Sequence, residues 1–173
     1  MKFHLTIFLL LILPSASVCA QLETKFGPVL YETNEQIIDY ERSLGPKDNP
    51  DSHRTNPSLE TIISRHENLF EEVCAKLDIY LNDIKTTVRI VASLDQLRAE
   101  YKRYVPNSDK AVTAFYSHQD KTIWYSQERL SYGIILHETA HAVMDHYFIR
   151  PIPAGVDELV SEMLEQTDCG TCN

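Results

Sequence analysis

The chain has 173 residues, 43% of them hydrophobic and 24% charged, with a formal net charge of -9. That is one domain's worth of sequence, long enough to bury a modest core. The acidity argues against nucleic acid and anionic membrane surfaces as partners, since both repel a negative protein.

The N-terminus opens with Lys2, runs apolar from Leu5 to Leu13, breaks at Pro14 and continues in small residues to Ala20. A basic start, a short apolar core and a small-residue exit predict a secretory signal peptide over residues 1 to 20, cleaved after Ala20. A lipid anchor on Cys19 is a rival reading that Val18 fits poorly. The apolar run is far short of the roughly 20 residues that span a bilayer, and no other segment comes closer. The expected location is therefore outside the cytoplasm, secreted or periplasmic. Loss of Lys2 with the leader takes the formal charge from -9 to -10.

Residues 21 to 56 read as an extended, loop-rich segment. An extended lead-in to 32 is followed by a short helix from Thr33 to Leu44 and a polar loop to about Asn56. A single domain is then expected over 57 to 173. Pro57 opens a long helix to about Tyr80, whose apolar residues Leu59, Ile62, Ile63, Phe70, Val73, Cys74 and Leu77 recur at the helical period. His66 falls near that buried face as a core histidine. The β-branched run from Lys85 to Ala92 predicts a strand. Ser93-Leu94-Asp95-Gln96 has the capping-box pattern, so a helix follows to about Arg103.

Two β-type runs, Val112 to Tyr116 and Thr122 to Tyr125, flank a polar turn and predict a hairpin with His118 solvated at its tip. A helix is expected from Glu128 to Phe148, stopped by Pro151 and Pro153, and a last one from about Ala154 to Gln166. This order of elements predicts an α+β domain, a small sheet with an edge hairpin packed on the two C-terminal helices. Cys74, Cys169 and Cys172 allow a bridge from the tail to Cys74 or a tight bridge within the tail, and the sequence leaves both open.

The chemistry concentrates at His137-Glu138-Thr139-Ala140-His141. A helix advances about 100° per residue, so the two histidines stand only about 40° apart around the axis and can reach one ion together. Zinc takes nitrogen ligands of this kind, and an open site adds one more protein ligand and a water. Glu138 projects beside them, placed to take a proton from that water. The motif lies between Ile134-Ile135-Leu136 and Ala142-Val143-Met144. Ionisable groups in such an apolar setting are costly unless something compensates them. The next helix supplies carboxylates. Glu158 and Glu162 lie one turn apart, so one can bind metal while the other orients a histidine. Glu165 lies too far along to be a first choice. His146 falls on the opposite side of its helix from His137, and His53 in a polar loop.

These residues resemble the gluzincins, the thermolysin-like zinc metallopeptidases, in a compact single-domain form. The resemblance covers roughly Val112 to Leu164 and extends past the histidines to Asp145. Asp157-Glu158-Leu159-Val160-Ser161-Glu162 is similar to the family's glutamate helix, with Glu162 where the family has aspartate. Thr113 to Tyr116 with Ile123-Trp124-Tyr125 looks like the family's hairpin. The resemblance implies one Zn2+ held by His137, His141 and Glu158, with Glu138 as general base and peptide bonds as substrate. It implies an extended peptide pairing beside Ala114 and Phe115. The family's oxyanion donors have no match here, and Tyr132, Tyr147 and Arg150 are the nearby candidates. The alternative is a zinc-holding interaction module with little turnover.

Overall fold

A computed structural model describes residues 19–45, 57–80, 83–150 and 152–167. Among these, five strands form one mixed sheet, four α-helices pack on it and a fifth packs on the fourth, the α+β arrangement expected. The strands are β1 (Ala20–Thr24), β2 (Gly27–Tyr31), β3 (Thr87–Val91), β4 (Ala114–Ser117) and β5 (Thr122–Ser126), in sheet order β1-β2-β3-β5-β4. β2, β3 and β5 run parallel through the centre, and an antiparallel partner closes each side. The helices are α1 (Asn34–Arg42), α2 (Leu59–Lys76), α3 (Leu94–Tyr104), α4 (Tyr132–Tyr147) and α5 (Ala154–Thr167).

The extended lead-in expected over 21 to 32 is instead a hairpin, and the loop-rich segment belongs to the domain. Leu22, Phe26, Val29, Ile37, Tyr40 and Leu44 are all buried in the main core. The core therefore begins well before residue 57. The hairpin depends on Gly27, whose φ of 125° lies in the region that side chains avoid. A Cβ there would stand 2.3 Å from the backbone oxygen of Thr86. Gly27→Ala should cost roughly 1–3 kcal/mol through strain and loss of this approach. A urea denaturation midpoint compared with wild type checks it.

The caps that begin the helices are short-range and legible. Thr33 and Gln36 form a reciprocal capping box on α1, and Ser58, Ser93 and Ser131 accept from backbone N–H groups at the starts of α2, α3 and α4. Ser58 as the cap of α2 leaves Pro57 outside the helix. The long helix predicted from Glu128 is a single 3-10 turn, Gln127–Arg129, followed by α4.

Strand alternation divides the sheet into two faces. Val88, Ile90, Ala114, Ile123 and Tyr125 point to the face covered by α1, α2 and α4. Phe115 and Trp124 point the other way, stacked at 5.9 Å in a smaller core with Leu97 of α3. Inside the main core, His66 is fully buried and its Nδ1 lies 2.8 Å from the hydroxyl of Tyr40. Phe26 stacks on Phe70 at 4.8 Å, which ties the first hairpin to α2. The expected leader falls outside the described residues except for Cys19 and Ala20, as do Cys169, Cys172 and His53. Among the described residues, no helix is long and apolar enough to cross a membrane.

Candidate metal centre

α4 packs against β4, β5 and α2, and α5 folds back against it. As α5 is followed forward, its partners on α4 move backward: Asp157 and Ser161 meet His141, while Glu165 meets His137. This antiparallel packing brings the carboxylates of α5 over the histidine stripe of α4. The Nε2 atoms of His137 and His141 lie 3.1 Å apart, one turn separating their residues. Glu158 offers one oxygen to each, Oε1 at 3.8 Å from His137 and Oε2 at 3.8 Å from His141. All three ligand atoms fall within 4.8 Å of one another, the metal-capable His/Asp/Glu/Cys cluster among the described residues.

The donor set fits a zinc ion. Two imidazole nitrogens and one carboxylate make the three-ligand arrangement of an open site. Nitrogens bound to one tetrahedral ion at about 2.0–2.1 Å stand roughly 3.3 Å apart, close to the separation here. Behind the site, the Nδ1 of His141 is held 3.0 Å from Asp157 Oδ1 and 3.3 Å from Ser161 Oγ. An Nδ1–H donated to Asp157 leaves Nε2 to face the ligand point.

The electrostatics separate the three motif residues. Burial pulls the His141 imidazole down, but the Asp157 hydrogen bond and the charges of Glu138, Asp157 and Glu158 outweigh it and leave its pKa raised. His137 moves the other way, lowered by burial and by the charge of His141 against the pull of Glu158, Glu165 and Glu162. Glu138 is almost fully buried, and burial pushes its carboxyl up to about 7 against the attraction of His141 and Lys110. Three groups on little more than one turn thus hold different protonation tendencies, set by where each points.

The cleft over these residues has a volume of about 390 Å³. One wall is residues 110 to 116 with His118, and the other is Ala154, Asp157, Glu158 and Glu165. Among the described residues β4 is the last strand of the sheet and pairs with β5 alone, and its residues Ala114, Phe115 and Tyr116 line this cleft. The Phe115 side chain is packed against Trp124 and Tyr101, so that position offers backbone to a ligand.

Several expectations need correction. Glu162 is exposed and is not the carboxylate beside either ring; Asp157 takes that position at His141 and Glu165 at His137. The signal for Asp157 is its place immediately before Glu158, and for Glu165 its spacing of seven, which returns to nearly the same helix face. His118 is exposed in the hairpin turn, as expected, and it also faces α4 and α5. Its Nδ1 lies 3.2 Å from Asp145 and its Nε2 4.0 Å from Asp157. Alternation along β4 places positions 114, 116 and 118 on the α4 side, which is the clue that finds it. Asp145 also accepts from Tyr116 Oη at 2.6 Å and pairs with Lys121; these bonds outweigh burial and keep its carboxyl low. None of Tyr132, Tyr147 and Arg150 lines the cleft, and the hydroxyl of Tyr132 is committed to Glu72 at 2.8 Å. His146 lies away from the centre, bonded to Ala142 O and Lys85 O.

The chain matches no protein-family model, no curated protein and no solved structure.

Proposed function

We propose that the chain is an exported zinc-dependent peptidase. The observation that carries this reading is the convergence of His137, His141 and Glu158 within 4.8 Å beside a buried Glu138. His137, His141 and Glu158 would hold the zinc, which when bound would supply Lewis-acid polarisation of water and of a carbonyl. The chain's own groups do the rest. Glu138 holds a carboxyl with a pKa near neutrality, able to accept a proton and return it. A cation held by its neighbours would favour the ionised form of this carboxyl. Asp157 and Ser161 fix the ring of His141. The backbone edge of β4 offers hydrogen bonds to an extended peptide, aligning it across the cleft. Lys110 and His118 line the same cleft and are the basic groups of its β4 wall.

The second reading is a zinc-holding interaction module with little turnover. It is favoured by one observation: the three residues considered as oxyanion donors all lie outside the cleft. Metal analysis of protein purified without added zinc should find one zinc per chain, and chelation should abolish peptide cleavage. Stoichiometric zinc with no cleavage across a broad peptide library supports the module instead. Absence of zinc defeats both.

A further inference from the structure

The second residue of α4 is Gly133, which carries no side chain. A Cβ at this position would lie 3.1 Å from Glu165 Cγ and 3.5 Å from its Oε1. The missing side chain leaves a notch in α4, and the Glu165 side chain crosses α5 to α4 through it. One turn further on, at the same face, stands His137. Its Nδ1 is buried and has no hydrogen-bond partner, and Glu165 Oε2 is 3.4 Å away. An orphaned buried ring nitrogen is costly, so the carboxylate beside it is the natural acceptor.

We propose that Glu165 is the positioning residue of His137, seated by the notch at Gly133. The proposal rests on His137 being a metal ligand. Its chemical content is tautomer control. A neutral imidazole carries one proton, and a carboxylate at Nδ1 draws that proton there, leaving the Nε2 lone pair aimed at the point shared with His141 and Glu158. Glu158 and Glu165 are seven residues apart on α5, within about 20° around the helix axis. One face of α5 therefore provides both a ligand and the group that orients another ligand. Asp157 does the same for His141, so each ring has its own carboxylate.

The test uses the full chain as wild type, Glu165→Ala, Glu165→Gln, Gly133→Ala and Gly133→Ala/Glu165→Ala. Zinc affinity is measured by competition with a chromophoric chelator, and histidine tautomers by ¹⁵N NMR of the metal-free protein. Glu165→Ala should weaken zinc binding about 10–100-fold. Glu165→Gln should lose much less, because its amide oxygen still accepts from Nδ1–H. Gly133→Ala should weaken binding in the same direction, and the double variant should bind no worse than Glu165→Ala. The NMR spectra should show His137 as the Nδ1–H tautomer in wild type and Glu165→Gln but shifted toward Nε2–H in Glu165→Ala. Affinity within twofold of wild type for Glu165→Ala, multiplying effects of the two single changes, or an Nε2–H tautomer of His137 in wild type overturns the proposal. Wild type that binds no zinc defeats the metal reading, and the tautomer measurement still decides the role of Glu165.

Discussion

On the proposed function, Glu138→Gln should lower kcat/KM for peptide hydrolysis by about 10²–10⁴-fold, the range typical for loss of a general base, and should leave zinc content at the wild-type level. Glu138 is almost fully buried on the cleft side of α4 and is not one of the three ligand side chains. Glutamine keeps its volume and its carbonyl oxygen but cannot take a proton. The histidines and Glu158 are untouched, so metal content and affinity should stay near wild type. Zinc loss in the variant would place Glu138 among the structural supports of the site. Undiminished cleavage with zinc retained would remove it from the mechanism. Single-turnover and steady-state kinetics, run beside metal analysis on the same preparations, separate these outcomes.

The second large effect lies in the core, at His66. This ring is fully buried, and burial lowers its pKa to about 4. In the unfolded chain the same group titrates near 6.5. Below that value the unfolded state holds one more proton than the folded state, so stability falls as pH drops. The loss begins near pH 6.5 and is complete below about pH 4. A difference of about 2.5 pH units amounts to about 3 kcal/mol. Glu138 contributes with the opposite sign in metal-free protein, because a raised carboxyl pKa weakens the fold as pH rises. The clean measurement is therefore the difference between wild type and His66→Gln, both metal-free, in urea titrations from pH 7.5 to 4. Glutamine can still pair with the Tyr40 hydroxyl but does not titrate. Wild type should lose about 3 kcal/mol more than the variant over this range. Parallel curves would show that His66 gains its proton without unfolding.

The clustering of His137, His141 and Glu158 was legible because its evidence is local. His137, Glu138 and His141 occupy little more than one turn, and helical geometry alone brings them together. The helix that carries Glu158 follows after a short proline-broken turn. What the sequence left open was how far α5 slides along α4, and that shift decides between Glu162 and Glu165 as the partner of His137. In the structure the Glu165 side chain lies against Gly133, a contact that spacing alone does not supply. The β3 strand and the β4–β5 hairpin were legible through β-branched and aromatic alternation. β1 and β2 were not. Ala20-Gln21-Leu22-Glu23-Thr24 is weakly β-forming, Pro28 sits inside the second strand, and the turn residues Lys25 and Phe26 carry no usual hairpin signal. Their order comes from distant contacts: Gly27 against Thr86, Phe26 on Phe70, and Val29 beside Val88.

Those distant contacts bear on how the molecule is built in time. β2 meets β3 only when Val29 finds Val88, and the two helices α1 and α2 lie in the intervening chain. Closing so long a loop between parallel strands is slow compared with helix or hairpin formation. The two C-terminal helices and the β4–β5 hairpin are nearest-neighbour units that can form early. The middle of the sheet, on which they must rest, is a late event. A refolding experiment should therefore show helix signal rising first, with hydrogen-exchange protection of the paired β2 and β3 amides in a slower phase.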